Sequence, residues 1–122
     1  MILTCAAMKA LEDRAFADGV SADALMEGAG DQIARAVKQF FPRPGVCIAV
    51  FGKGNNGGDA LVAARHLAET GWDVRLVGAY PDTEWSPLPK AKFCTVKGFR
   101  VADVDELDTC TVKPLIVLDG LL

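Results

Sequence analysis

The residues with the clearest chemical potential form one short run, Gly-Lys-Gly-Asn-Asn-Gly-Gly-Asp, at positions 52–59. The run follows apolar residues 46–51, which indicate a buried strand, and it leads into a helical pattern over 58–70. Glycines in a strand-to-helix turn let a ligand approach the backbone, and the N–H groups at a helix start attract an anion. The run therefore predicts a phosphate-binding turn.

This run differs from the common phosphate-binding motifs. Its glycines satisfy G-x-G-x-x-G, but the next predicted strand ends at Tyr80 without an acidic residue to hold a ribose hydroxyl. No Gly-Lys-Ser or Gly-Lys-Thr follows, so it is not a P-loop. Asn55, Asn56 and Asp59 add polar side chains that a plain pyrophosphate turn does not need. A purely structural turn is the weaker alternative, because the whole run lies between a strand and a helix.

A second candidate is Asp119, which directly follows the apolar run 115–118. Its carboxylate either caps a strand end in solvent or belongs to a site, and an apolar strand that ends in Asp-Gly favours the site. Three further residues are weaker candidates. His66 is expected to pack or face solvent, Lys53 meets a phosphate or only water, and Trp85 covers a site or contacts a partner.

Two helices are predicted before the turn. The first carries apolar residues at helical spacing from Met8 to Ala15, and the second begins after the N-cap candidate Ser21. Gly28 and Gly30 lie inside the second helix, where close packing or a kink explains them better than a ligand does. The apolar face predicted for this helix consists of Leu25, Ala29, Ile33, Val37 and Phe41, and the helix ends before Pro42.

The remaining sequence alternates strands with helices. Strands are predicted at 46–51, 73–80, 99–101 and 115–118, a helix at 58–70 capped by Gly71, and a loop with one helical turn at 81–92. This alternation implies an α/β class and a Rossmann-like three-layer αβα architecture with a mostly parallel sheet. The first strand then lies between the second and the fourth. Ligands of such sheets bind at the switch point, here between the first and fourth strands.

Composition narrows the classes of function. A length of 122 residues with 51% apolar residues fits one domain, 1–122, with a buried core. The net charge of −3 argues against a nucleic-acid partner, and no apolar stretch approaches the ~20 residues that span a membrane. Four cysteines form no C-x-x-C pair and only one histidine accompanies them, which argues against zinc. Cys47 is expected to be a buried free thiol, and the protein to be cytoplasmic.

The sequence stops at 119–122, Asp-Gly-Leu-Leu, as an apolar strand finishes. A parallel sheet needs helices on both faces, and an uncovered edge strand is a liability. We therefore expect the 122 residues to be the first half of a larger domain, incomplete at its C-terminus. A truncated chain, a partial gene or a separate partner chain would each produce this ending.

The run at 52–59, continued by Leu-Val-Ala-Ala-Arg-His-Leu at 61–67, resembles the signature of the YjeF N-terminal domain family. That family includes the NAD(P)H-hydrate epimerases. Leu-Met-Glu-Gly-Ala-Gly at 25–30 is similar to the family's Leu-Met-Glu-Asn-Ala-Gly. Val-Leu-Asp-Gly-Leu-Leu at 117–122 is similar to its Val-Asp-Ala-Leu-Leu-Gly, so the resemblance covers the whole chain.

Three positions depart from the family pattern: Gly28 replaces Asn, Ala60 replaces the usual Gly, and Gly120 replaces Ala. The family's domain also continues with a glycine-rich segment and with Ser-Ile-Asp-x-Pro-Ser-Gly, which this sequence does not contain. The aspartate of that later segment is regarded as catalytic. The resemblance therefore leaves the catalytic residues of this chain unknown and implies that the chain alone is essentially inactive.

The resemblance implies an isomerase that interconverts the R and S forms of hydrated NADH and NADPH during cofactor repair. In these molecules water has added across C5=C6 of the nicotinamide, and the C6 carbinol centre is inverted. It further implies a dehydratase domain or protein as partner, a homodimer, and one potassium ion per subunit held by Asn56 and Asp119. The dinucleotide would be bound by Asn55, Asn56, Gly57, Gly58 and Asp59. We expect valine at either of the two glycines to weaken that binding before stability suffers.

Two other functions remain open at this point. Members of the family also serve as protein- or RNA-associated adaptors, so the chain could be a non-catalytic nucleotide-binding or protein-interaction module of the same fold. It could also be a plain nucleotide-binding fragment of a larger enzyme. The net charge of −3 weighs against an RNA partner.

Overall fold

The computed structural model describes residues 5–17, 21–96, 99–101 and 114–121. The predicted break at Gly19, as well as Cys110 and Leu122, lies outside the described residues, as do the side chains of Met8 and Ala15. The elements, in chain order, are α1 (Cys5–Ala17), α2 (Ala22–Phe40), β1 (Val46–Phe51), α3 (Asn55–Glu69), β2 (Asp73–Gly78), a 3₁₀ turn (Asp82–Glu84), α4 (Pro87–Cys94), β3 (Arg100–Val101) and β4 (Leu115–Gly120).

All described strands belong to one parallel sheet in the order β3-β2-β1-β4. Val46 at the start of β1 pairs with Asp73 of β2 on one side and with Leu115 of β4 on the other. The chain thus leaves β1 in one direction and returns on its opposite side. This confirms the α/β class, the central place of β1 and the switch point between β1 and β4.

The main core lies between the sheet and helices α2, α3 and α4. It contains the inward residues of β1 and β2 and the apolar face of α3, namely Cys47, Ala49, Phe51, Leu61, Ala64, Leu67, Val74 and Leu76. Val46, Ile48 and Val77 form a second cluster that is separate from this core. Helices are therefore established on one face of the sheet, and the second helical layer remains a prediction.

Helix α2 begins as predicted but buries a different row of residues. Ser21 is its N-cap, since its hydroxyl oxygen accepts a hydrogen bond from the Ala24 N–H at 3.0 Å. The buried row is Met26, Gly30 and Ala34, while the predicted row of Leu25, Ala29, Ile33 and Val37 is half-buried and Phe41 is exposed. Small residues let α2 approach α3 closely: a Cβ on Gly30 would lie 2.3 Å from Val62 Cγ1. The packing explanation of this glycine is confirmed.

Several boundaries differ from those predicted. Strand β2 ends at Gly78 rather than at Tyr80, β3 begins at Arg100 rather than at Phe99, and three larger differences follow. Helix α3 begins at Asn55 rather than at Gly58, so the asparagines lie in its first turn and not in a loop. The segment 81–92 contains most of α4, a helix of 8 residues, where one helical turn was expected. Strand β4 extends through Asp119 to Gly120, and the register pairs Asp119 with Val50 of β1.

No helix in the described parts of the chain is both long and apolar enough to cross a membrane.

Candidate functional site

The turn that follows β1 is held on both sides by neighbouring strand ends. The Gly52 N–H donates to the Gly120 carbonyl at 2.7 Å, and the Ala79 N–H donates to the Phe51 carbonyl at 3.0 Å. Gly54 is then the N-cap of α3, with extended backbone angles and open space where a side chain would stand. The turn is therefore short and fixed, and it presents the first turn of α3 at the carboxyl edge of the sheet.

The two glycines that follow serve the packing of the protein itself. A Cβ on Gly57 would lie 2.6 Å from the Gly52 carbonyl oxygen, and a Cβ on Gly58 would lie 2.4 Å from Met26 Sδ. Both residues are buried. A valine at Gly57 would collide with backbone, and a valine at Gly58 would collide with the movable end of Met26. We therefore expect a cost in stability at both positions, and the effect of either valine on binding stays a prediction.

The helical start separates the polar side chains of the run. Neighbouring residues in a helix point about 100° apart, whereas residues three and four apart share a face. Asn55 and Asn56 accordingly line different cavities, and Asp59, which is four and three residues further on, lines both. A loop would not impose this division.

The larger cavity, which we call the strand cavity, has a volume of about 210 Å³ and lies at the switch point. Asn56 and Asp59 of α3 and Asp119 of β4 supply its polar groups, and Ile33 and Val117 belong to its apolar lining. The smaller cavity, the helix cavity, has a volume of about 90 Å³. It is lined by Ala22, Leu25, Met26, Ala29, Asn55, Asp59 and Leu88.

Gly120 is the reason that β4 reaches the first turn of α3. A Cβ there would lie 2.8 Å from the Asn56 carbonyl oxygen and 2.8 Å from Ala60 Cβ. Without a side chain at this position, the strand end packs directly on the helix, and Asp119 comes to the same cavity as Asn56. The Gly and Ala that depart from the family pattern at these two positions are thus in direct contact.

The strand cavity offers donors suited to a hard cation. An amide oxygen of Asn56 and the carboxylate of Asp119 are the ligand types that alkali and alkaline-earth ions prefer. One carboxylate oxygen of Asp119 accepts the Leu121 N–H at 3.1 Å, which fixes the side chain and leaves its other oxygen for a cation. The donor chemistry therefore fits potassium. Among the residues that the structure describes, no three His, Cys, Asp or Glu side chains cluster as metal ligands.

The turn is also tied to the loop that follows β2. The Lys53 ammonium lies 4.9 Å from the centre of the Tyr80 ring, and the Lys53 carbonyl accepts the Ser86 N–H at 2.9 Å. Trp85 packs edge-on against Phe51 and donates from its indole N–H to the Tyr80 carbonyl at 2.9 Å. Lys53 therefore stacks on an aromatic ring, and half-buried Trp85 belongs to the core rather than to a lid.

A partly buried ion network joins α2, α3 and α4 and was not found from the sequence. The Lys92 ammonium of α4 lies 2.6 Å from a carboxylate oxygen of Asp23 and 2.6 Å from one of Glu27, both on α2, and Arg65 of α3 binds Glu27. The Arg65 hydrogen bond, helped by Lys92, lowers the pKa of Glu27 to about 2. Burial works to lower the pKa of Lys92, but the two carboxylates outweigh it and raise that pKa.

Two further groups, the weaker candidate His66 and the thiol of Cys47, take no part in the site. His66 lies further along α3, with Nδ1 3.9 Å from a Glu69 carboxylate oxygen, so it meets solvent and a neighbour as expected. Cys47 is a buried free thiol, as predicted, and burial raises its pKa to about 12. Neither group is placed to react with a ligand at the switch point.

Comparison with known proteins gives consistent matches. The family model described as YjeF-related protein N-terminus matches residues 22–122. The chain is 36% identical over 104 residues to the "Bifunctional NAD(P)H-hydrate repair enzyme Nnr" of Methanospirillum hungatei, covering 82% of this chain and 21% of that protein. It is 36% identical over 121 residues to the "NAD(P)H-hydrate epimerase" of Cenarchaeum symbiosum, covering 92% of this chain and 54% of that protein.

A solved structure is also similar. The crystal structure of yeast ynu0, YNL200c, superposes with a TM-score of 0.60 at 28% identity, covering 83% of this chain and 40% of that one. The chain therefore spans about a fifth of the bifunctional relative, about half of the epimerase and two fifths of the yeast protein.

Proposed function

This chain belongs to the YjeF-related protein N-terminus family, and from that premise we propose that it supplies the dinucleotide- and ion-binding half of an NAD(P)H-hydrate epimerase. The observation that carries the proposal is the strand cavity. Asn56 lies in the first turn of α3 and Asp119 lies near the end of β4, yet both line one cavity at the switch point. A structural turn alone gives no reason for an amide and a carboxylate to meet there.

The substrate that we propose is hydrated NADH or NADPH, held by the first turn of α3. The positive dipole end of this turn favours the pyrophosphate. Asn55, Asn56 and Asp59 supply its polar side chains, while the buried Gly57 and Gly58 form its backbone. A potassium ion held by Asn56 and Asp119 would supply positive charge beside the phosphates. The residues of the chain would then bind and orient the dinucleotide, which is the requirement for placing its nicotinamide ring.

We assign the proton transfer at the C6 carbinol centre to no described residue of this chain. The resemblance places that step on an aspartate in a later segment, which the sequence does not contain. General acid–base assistance contributes about 10²–10⁴-fold to a rate. We therefore expect the 122 residues to bind the dinucleotide and to epimerise hydrated NADPH at an essentially undetectable rate.

Calorimetry tests the proposal on the chain as it stands. NADPH is titrated into wild type and into Asp119→Asn, each in potassium chloride and in choline chloride at equal ionic strength. We expect binding by wild type to be several-fold tighter in potassium, and Asp119→Asn to remove this difference. The matched control is Asp82→Asn, which changes an exposed aspartate outside both cavities.

The alternative of a non-catalytic module makes a different prediction. Nucleotide binding by such a module needs no cation, so equal affinity in potassium and choline would contradict the ion site. An absence of NADPH binding would contradict the dinucleotide site as well. Turnover of the R epimer by this chain at a rate comparable with an intact epimerase would show that a residue of this half carries the proton.

We also propose a partner activity, a cellular compartment and an oligomeric state for this protein. The relatives' name describes a bifunctional NAD(P)H-hydrate repair enzyme. We propose that the partner activity is the dehydratase that the resemblance implies, fused to this domain or present as a separate protein. Cys47 and Cys94 are free thiols, which suits a reducing compartment such as the cytoplasm. The homodimer remains a prediction that the molar mass in solution would test.

A further inference from the structure

The helix cavity and the strand cavity share Asp59 but otherwise have different lining residues. The walls of the helix cavity are the apolar side chains of Leu25, Met26 and Ala29 from α2 and Leu88 from α4. Its polar groups are Asn55 and Asp59 on α3. An apolar slot with a few convergent polar groups is the usual composition of a small-molecule site.

We propose that the helix cavity binds a planar nitrogen heterocycle that carries an NH₂ group. The apolar walls suit the faces of a ring. The Asn55 amide can donate and accept in one plane, and the Asp59 carboxylate can accept from the NH₂ group. This chemistry is shared by adenine and by the carboxamide of nicotinamide, the two ends of the dinucleotide. The inference rests on the proposed function, because it assigns one end of that substrate to a place.

The size of the cavity agrees with partial insertion of a ring. A closed apolar cavity of ~150 Å³ holds one benzene molecule in a protein. The helix cavity has about 90 Å³ but is open to solvent, so it can take the edge of a ring that carries the NH₂ group. The ribose would then remain outside, at the first turn of α3.

The walls of this cavity are fixed before any ligand arrives. Lys92 of α4 is buried and binds both Asp23 and Glu27 of α2. These carboxylates are adjacent in sequence to Ala22 and Met26, which line the cavity. Met26 also packs against the α3 backbone, where Gly58 leaves room for its thioether. Fixed walls lower the entropy that ring binding would cost.

Adjacent asparagines provide a matched test, because Asn55 lines the helix cavity and Asn56 the strand cavity. The probes are adenosine and nicotinamide, which lack phosphate, and binding is measured by ligand-observed NMR titration. We expect one probe to bind wild type in the millimolar range and Asn55→Ala to weaken it about fivefold, the worth of one hydrogen bond. Asn56→Ala is the control and is expected to change that affinity less than twofold.

A second pair of variants tests the walls. Ala29→Leu fills the cavity and is expected to abolish probe binding, whereas Ala36→Leu, on the exposed face of the same helix, is expected to leave it unchanged. If Ala29→Leu does not fold, Asn55→Ala decides alone, since Asn55 is exposed. Binding of adenosine alone or of nicotinamide alone assigns the end of the dinucleotide.

Two results would overturn the inference: no binding of either probe to wild type, or binding that neither Asn55→Ala nor Ala29→Leu weakens. These results are independent of the ion site, which Asp119→Asn tests through potassium-dependent NADPH binding. Potassium dependence without ring binding would leave the proposed function standing and remove only this inference. Ring binding without potassium dependence would remove the ion site and leave this inference and the dinucleotide site standing.

Discussion

Alanine substitutions along the turn measure which of its glycines the fold requires. A Cβ on Gly57 would meet the Gly52 carbonyl oxygen at 2.6 Å, a Cβ on Gly58 would meet Met26 Sδ at 2.4 Å, and one on Gly54 would meet nothing within 4 Å. The two buried contacts differ in kind. A thioether at the end of a flexible side chain can move, whereas a backbone carbonyl next to a strand cannot.

The expected magnitudes follow from this difference. Overpacking a well-packed site costs about 1–3 kcal/mol, and replacing glycine by alanine in a helix returns at most about 1 kcal/mol. At Gly57 the cost lies toward the upper end, because moving Gly52 would also disturb its 2.7 Å hydrogen bond to the Gly120 carbonyl. We expect Gly57→Ala to lower the free energy of unfolding by about 2 kcal/mol and Gly58→Ala by less than about 1 kcal/mol.

Urea unfolding followed by circular dichroism gives these free energies. Gly54→Ser is the control, since serine is a favoured N-cap residue and its side chain has open space. It is expected to be as stable as wild type or slightly more so. If Gly57→Ala proved as stable as Gly54→Ser, the carbonyl contact would not restrict the turn, and the assignment of Gly57 to packing would be refuted.

Two further predictions concern single contacts. Because Arg65 lowers the pKa of Glu27 from 4.5 to about 2, the ionised carboxylate stabilises the fold above pH 4.5, and this stabilisation is lost as the pH falls toward 2. Glu27→Gln should therefore be about 1–2 kcal/mol less stable than wild type at pH 7 and equal to it near pH 2. This loss in free energy of unfolding is smaller than the full pKa shift would give, because the carboxylate is partly exposed to solvent. An equal difference at both pH values would contradict the network. Ala60→Gly should lower the free energy of unfolding by about 0.5–1 kcal/mol less in the Gly120→Ala background than in wild type. The reason is that it removes one of the three close contacts of the methyl group added at position 120. Equal losses in urea unfolding would show that the two residues are not coupled.

The sheet could be predicted from the sequence because its strands are short, unbroken apolar runs. Val46 to Phe51 is apolar because a central parallel strand is buried on both faces. Leu115 to Leu118 is equally apolar, although Leu115 and Val117 are exposed on one face of β4. Once strands and helices alternate, chain topology restricts the order, and the switch point follows without any side-chain detail. The meeting of Asn56 and Asp119 at one cavity is a direct consequence of that order.

The start of α3 could not be predicted, because its first residues are poor helix formers. Asparagine and glycine both disfavour helix interiors, so local preference places the start at Gly58. In the folded chain the turn is fixed by neighbouring strands, and the Gly57 N–H and Gly58 N–H donate to the Gly54 carbonyl, which starts the helix earlier. Tertiary contacts therefore override propensity, and they decide that Asn55 and Asn56 line different cavities.

Few features of the sequence indicate the ion network. Asp23 and Glu27 are four residues apart on α2, where like charges repel unless a cation lies between them. That cation, Lys92, is 65 residues from Glu27 and lies on a helix where a loop with one helical turn was predicted. Partners so distant in sequence are joined only by the fold, so the spacing on α2 could suggest a missing cation but could not identify it.

The pairing of β1 with two strands has a consequence for the order of folding. Val46 pairs with Asp73, 27 residues further along the chain, and with Leu115, 69 residues further along. Closing the longer loop costs about 0.8 kcal/mol more in chain entropy, and β4 also joins an edge rather than a gap in the sheet. We therefore expect Asn56 to be in place as soon as the β1–α3–β2 unit forms, and Asp119 to arrive later with the most distant pairing. A cation bound by both residues would slow the departure of β4. In folding kinetics, potassium is therefore expected to lower the unfolding rate more than it changes the rate of chain collapse.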